Sequence, residues 1–370
     1  MAWWKWLGVA ILLVTLTVGM LVPLKPGVEY VSPGTATAGQ TLDLAVYGYN
    51  THFEAGTNQG YLGLNVPTTL EDSVATYYIP ATATQVSSDN RMTLRFVLPD
   101  AYPTTDSLVL LNLLLQNQQD GAFVLPGALS VANVVAASPE EVSASFLSAV
   151  DLVPTEAFTF PYRSLLGETI RNTYFHVPMW FGMILLFTVA LVYQVRYLRK
   201  GQRPLDDAKA VAFVEVGVVF GLLGIVTGSL WARYTWGQWW SFDIKQNMAA
   251  IALLIYLAYF VLRDSFSADP EKKARTSALY GIYAYAAMIP LLFVIPRLTS
   301  SLHPGSGGNP GFGGEDLDNT MRMIFYPAII GWTLLGAWAA NIRWRTLRLR
   351  QRIADRSYSR SREREAIVVE

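Results

Sequence analysis

Cysteine is absent from all 370 residues. That excludes a disulfide framework, a thiolate metal site, a redox thiol and thioether attachment of a cofactor to the chain itself. Charge is sparse, with 15% of residues ionised and a formal net charge of zero, so no nucleic-acid partner is expected. Histidine is scarce too, at three residues. The sequence carries no nucleotide-binding loop, no internal repeat, and no catalytic constellation between residues 28 and 166.

Apolar residues dominate what is present. A hydrophobic content of 52% and a mean hydropathy of +0.29 call for a membrane domain joined to a water-soluble portion. Residues 1–27 hold an apolar run, Trp3 to Val22, ended by Pro23 and Pro26 and read as a retained first transmembrane helix. Residues 28–135 change texture. Short β-rich runs (Leu42 to Tyr49, Met92 to Leu98, Ser107 to Leu115) separated by Gly, Pro, Asn, Asp and Ser predict a small antiparallel β-sandwich. Its opening, from Val31-Ser32-Pro33-Gly34 to Val46-Tyr47-Gly48-Tyr49-Asn50, is similar to the first strands of an immunoglobulin-like, TIG-type fold. His52 reads as a surface or turn residue. Residues 136–170 form a partly helical connector, with Ser138-Pro139-Glu140-Glu141 as a helix start.

Further apolar runs lie near 174–195, 211–231, 247–262, 278–296 and 323–341, giving six spans. The fold class is therefore mainly α, a six-helix transmembrane bundle with the β-sandwich inserted outside the cytoplasm. Alternate loops are cationic (Arg196, Arg199, Lys200, Arg203 and Lys209; then Arg263, Lys272, Lys273 and Arg275), as is the tail, residues 343–370. The positive-inside rule puts these and both termini in the cytoplasm, and the β-region and the loop after Trp231 on the outer side. Glu215, near the cytoplasmic end of the third span, reads as a residue that snorkels to the edge.

Four of the eleven tryptophans fall within ten residues, in Trp231-Ala232-Arg233-Tyr234-Thr235-Trp236-Gly237-Gln238-Trp239-Trp240-Ser241-Phe242-Asp243-Ile244-Lys245. Aromatic rings with a polar edge suit the membrane–water interface, and so dense a set also makes a platform for a planar apolar ligand such as a porphyrin. His176 precedes this stretch and His303 follows it, and the topology puts both on the outer side. Two neutral imidazoles there suit a bis-histidine iron site. Arg171, Arg233, Lys245 and Arg297 read evenly as contacts to an anionic ligand edge or as interfacial anchors.

The ordered set of a His-Val-Pro context at His176, Thr-Gly-Ser-x-Trp from Thr227 to Trp231, Trp-Gly-x-Trp-Trp-x-x-Asp from Trp236 to Asp243, and Leu302-His303 resembles the CcmC family of cytochrome c maturation. The resemblance covers the first span and the membrane region, residues 171–342, with its tryptophan loop (the WWD domain) at 231–247. It implies a haem-handling protein of the bacterial inner membrane, with no catalytic residues. His176 and His303 are then axial ligands to a transiently and non-covalently bound haem b. Trp231, Trp236, Gly237, Trp239, Trp240 and Asp243 form the platform, with Arg171 and Lys245 beside it. The implied recipient is the periplasmic haem chaperone CcmE, and CcmD and the CcmAB ATP-binding cassette complex are implied associates alongside membrane lipid. Two departures stand out: Phe242 replaces a tryptophan and Lys245 an arginine, which loses an indole N–H donor and a bidentate fork. The β-region is an insertion relative to the family pattern. A CcsA-like cytochrome c synthetase subunit and a haem-exporting permease are the alternative readings.

Overall fold

The computed structural model describes residues 3–67, 74–104, 106–133, 146–154, 158–303 and 317–369. The expected helix start at Ser138 to Glu141 lies outside them. The chain divides into two compact units, Met1–Leu21 with Thr169–Glu370, and Val22–Glu168.

Among the described residues of the second unit, nine strands run β1 (Gly27–Ser32), β2 (Thr35–Thr37), β3 (Thr41–Tyr49), β4 (Gln59–Pro67), β5 (Val74–Pro80), β6 (Ala83–Ser88), β7 (Arg91–Val97), β8 (Leu108–Asn117) and β9 (Gly121–Ala132). They form two sheets, ordered β1-β3-β7-β6 and β2-β9-β8-β4-β5, antiparallel except for the β2–β9 pair. Period-two alternation sets the inward face. Leu42, Leu44 and Val46 of β3 sit directly opposite Phe96, Leu94 and Met92 of β7, and all six are buried. Leu62 and Leu64 of β4 and Val109, Leu111 and Leu113 of β8 complete the same apolar core from the other sheet. Burial of each such side chain contributes on the order of 2 kcal/mol.

The first unit is helical. Its helices are α1 (Trp3–Leu21), α2 (Thr173–Arg199), α3 (Pro204–Trp236), α4 (Ile244–Ser265), α5 (Pro270–Ile289) and α6 (Asn319–Val369). Among the described residues, six helices are long and apolar enough to cross a membrane. At Pro290 and Pro296 the α5 helix passes into a wider and then a tighter turn, since neither proline supplies a backbone N–H. Helices in lipid gain most from close contact. On α3 the small residues Gly217, Gly221, Gly224 and Gly228 share one face, against which Phe187, Met183, Trp180 and His176 of α2 pack.

Glu215 is partly exposed and paired. Its two oxygens accept from Nε and Nη2 of Arg343 on α6 at 2.6 and 2.7 Å, so the charge is matched inside the bundle. The buried Asp207 near the start of α3 is held likewise by Arg263 of α4, at 2.7 and 2.9 Å.

Candidate functional site

The tryptophan stretch begins as the last turns of α3. Gly237, at φ +76°, ends that helix in the left-handed conformation that glycine adopts without penalty, and Arg233 Nη1 donates to its carbonyl. Asp243 then caps α4, accepting from the Lys245 backbone N–H at 2.9 Å. Between them the chain is held by local bonds. Trp240 Nε1 donates to Asn247 Oδ1 at 3.2 Å, Asn247 Nδ2 donates to the Phe242 carbonyl at 2.8 Å, and Gln246 Oε1 accepts from the Ser241 N–H and hydroxyl. Trp239 and Phe242 carry no such duty and stay 58% and 77% exposed.

Asp243 has further partners outside the loop. Its side chain is buried and accepts also from Ser301 Oγ (2.9 Å), the Leu302 backbone N–H (2.7 Å) and His303 Nδ1 (2.8 Å). Burial alone would raise its pKa; the Leu302 and Ser301 hydrogen bonds, with smaller contributions from His303 and Lys245, outweigh that and hold the carboxyl below the ordinary aspartate range. One carboxylate thus fastens residues 301–303 to the start of α4. Burial pushes His303 below the ordinary imidazole range, Asp243 opposes the shift and Lys245 reinforces it, so the ring is neutral at neutral pH. Bonded to an acceptor-only carboxylate, Nδ1 carries the proton and Nε2 keeps its lone pair.

His176 lies in the first turn of α2. Its Nδ1 is 3.0 Å from the Gly224 carbonyl and 3.2 Å from Thr227 Oγ1. A carbonyl can only accept, so here too the proton is on Nδ1 and the lone pair on Nε2. Trp180, one turn along α2, directs its indole N–H at that lone pair from 3.4 Å. His176 has no room to shift toward α3, because a Cβ on Gly228 would stand 2.5 Å from its Cε1. The edges of two aromatic rings meet the imidazoles: Trp231 against His176 (centroids 5.8 Å apart) and Trp236 against His303 (4.8 Å).

The model of the CcmC family, described as "Heme exporter protein C", matches residues 132–360, more than half of the chain. The chain belongs to the CcmC family. "Heme exporter protein C" of Bradyrhizobium diazoefficiens is 29% identical over 171 residues, 46% of this chain and 63% of that protein. Its Escherichia coli K12 counterpart is 25% identical over 188 residues, 49% of this chain and 71% of that protein. "Cytochrome c biogenesis protein CcsA" of Pelargonium hortorum is 27% identical over 95 residues, 26% of this chain and 30% of that protein. The chain thus spans just under two thirds of the Bradyrhizobium relative, at 63%.

Within this CcmC-family chain the residues fit an iron porphyrin. Both imidazoles carry their protons on Nδ1, the His176 Nε2 lone pair facing the Trp180 indole N–H, and among the described residues the buried Trp231 indole N–H has no hydrogen-bond partner. The expected cations differ in setting. Arg171 is buried and its Nη1 donates to the Gly19 carbonyl of α1 at 2.9 Å, which ties it to the bundle, whereas Arg233 and Arg297 are exposed and Lys245 is half-buried. Sequence reasoning passed over Trp180, Gly224 and Ser301, and took Gly228 only as part of the Thr-Gly-Ser-x-Trp motif. Only Trp180 left a signal, its helical spacing of four from His176.

Proposed function

We propose that this multi-pass CcmC-family protein binds haem b transiently and non-covalently between His176 and His303, and passes it to the chaperone CcmE for cytochrome c maturation. The observation that carries the reading is the pair of imidazoles with Nδ1 engaged and Nε2 free of a proton, the state iron ligation requires. The relatives' names, "Heme exporter protein C", support the cargo. Bound haem would supply the iron and the vinyl edge. The chain's part is presentation: Trp231 and Trp236 flank the imidazoles, Trp239 and Phe242 offer exposed apolar faces, Trp240 and Gly237 shape the loop, and Lys245, with Arg233, Arg297 and Arg171, supplies positive charge for propionates. No residue need act as acid, base or nucleophile. The cationic loops put both termini in the cytoplasm of a bacterial inner membrane, so the WWD loop and the β-region, read as an Ig/TIG-like sandwich, face the periplasm where CcmE would dock. CcmD and CcmAB are the membrane associates of this reading.

The test is the visible spectrum of detergent-solubilised protein, wild type beside His176→Ala/His303→Ala. Sharp reduced α and β bands in the wild type that broaden or vanish in the variant are expected. A wild type that takes up no added haem would remove the reading. The match to the CcsA protein favours a second one, a cytochrome c synthetase subunit. Covalent haem attachment to an apocytochrome by the purified protein, with no CcmE present, would select it.

A further inference from the structure

The two imidazoles of the candidate site differ at the nitrogen that iron would take. His176 Nδ1 is held by the Gly224 carbonyl at 3.0 Å and Thr227 Oγ1 at 3.2 Å, which fixes the ring and its proton. Its Nε2 nonetheless accepts from the Trp180 indole N–H at 3.4 Å. His303 Nδ1 is held by Asp243 at 2.8 Å, and among the described residues no donor is directed at its Nε2. The Trp180 contact is built into the packing of α2 on α3. The indole stands one turn along α2 from His176, with the two ring planes 84° apart. A Cβ on Gly224 would lie 2.8 Å from its Cε2, so the indole is seated in the notch that this glycine leaves. Gly224 therefore serves both rings: its carbonyl holds His176 and its missing side chain admits Trp180.

We propose that Trp180 competes with iron for His176, which makes His176 the exchangeable axial ligand and His303 the standing one. An indole nitrogen only donates, and Nε2 of a neutral imidazole protonated on Nδ1 has a single lone pair. That lone pair cannot serve the indole N–H and an iron ion together. A merely orienting part does not account for the bond, because the two acceptors on Nδ1 already orient the ring and a donor on the lone pair opposes ligation. The inference rests on the haem-binding reading above and adds an order to it. His303 engages first, and His176 engages only as the Trp180 N–H gives way. On delivery the exchange runs in reverse: His176 lets go and its lone pair accepts again from Trp180. The electron pair stays on Nε2 and the proton on Nδ1 throughout, so the exchange needs neither proton nor electron transfer at His176.

The test uses full-length protein in detergent and has one arm without haem. With isotope-labelled histidine, nitrogen NMR has only three imidazoles to resolve. The His176 Nε2 resonance, assigned by its loss in His176→Ala, is expected to move in Trp180→Phe to the position of a nitrogen that accepts no hydrogen bond. In haem-loaded protein, Trp180→Phe should keep the six-coordinate spectrum and lose haem to excess apomyoglobin about 2- to 10-fold more slowly than wild type, the worth of one neutral hydrogen bond. Trp180→Leu, which also lacks the N–H, should act in the same direction. In a His176→Ala background neither substitution should change the release rate. An Nε2 resonance indifferent to Trp180→Phe, release that is unchanged or faster, or an equal effect without His176 overturns the proposal. A bis-histidine wild-type spectrum alongside any of these leaves the His176–His303 reading standing, whereas a wild type that takes up no haem removes both.

Discussion

His303 and Asp243, sixty residues apart, meet across 2.8 Å, and the same carboxylate that caps α4 sets the tautomer of the histidine. On the function proposed above, the aspartate of the tryptophan loop is thereby a positioning residue for His303. Asp243→Asn retains the side chain's shape and most of its hydrogen bonds but no longer offers two acceptors and a charge. Haem affinity is expected to fall about 10–100-fold, with the melting temperature in detergent shifting far less. Equal losses of both would reduce Asp243 to a structural tie.

Acid should act on the site through these two groups in sequence. Burial holds His303 neutral to lower pH than a free imidazole, so on the reading proposed above its Nε2 stays available further into the acid range than that of an exposed histidine. The sign for stability follows: the unfolded chain binds this proton more readily, so stability begins to fall as pH drops through about 6.5. The stabilising contribution of Asp243, present above its unfolded pKa of about 3.9, is lost as pH falls through its lower folded value. A haem spectrum followed from pH 8 to about 4 checks the first point, and chemical unfolding followed from pH 8 down to about 2 checks the stability losses.

Gly228→Ala drives a methyl group to within 2.5 Å of His176 Cε1 unless the ring moves. Displacement of the imidazole should convert a six-coordinate low-spin spectrum into a five-coordinate high-spin one, with membrane insertion unaffected. A low-spin spectrum of unchanged intensity would mean that α2 and α3 separate to make room.

Phe242 holds φ +56° with its ring 77% exposed, a backbone state that costs a bulky residue on the order of 1 kcal/mol. A residue kept there for its ring should be replaceable by glycine without loss of stability, because relieved strain offsets the greater freedom of glycine in the unfolded chain. Phe242→Gly is expected to leave thermal stability within about 1 kcal/mol of wild type and to lower haem uptake. Uptake equal to wild type would show the ring to be dispensable.

Glu215 and Arg343 form a doubly bonded pair between α3 and α6. Removing one partner, as in Glu215→Gln or Arg343→Met, should destabilise by about 2 kcal/mol, since the other charge is left without its bonds in a half-buried place. The two changes together should cost less than their sum. Strict additivity in a thermal-unfolding cycle would show that the pair is not coupled.

The spans, the alternation of cationic loops, the β-rich texture of the first third and the grouping of tryptophans were legible in the sequence, because each is a local pattern of hydropathy or composition. The position of His176 at the start of a span belongs with these. What was not legible joins distant segments. Arg343 lies 128 residues from Glu215, the Gly224 carbonyl 48 from His176, and Asp243 sixty from His303. Asp243 read as a platform residue because its neighbours in sequence are aromatic; its neighbours in space are Ser301, Leu302 and His303. Which faces of α2 and α3 meet is decided by glycines that admit Trp180 and His176 side by side, and only packed helices reveal that. Hydropathy determined that the chain crosses a membrane and where its aromatic loop begins. Tertiary packing decided which nitrogen of His176 and of His303 keeps the proton, because the acceptors that hold it, the Gly224 carbonyl and Asp243, come from distant segments.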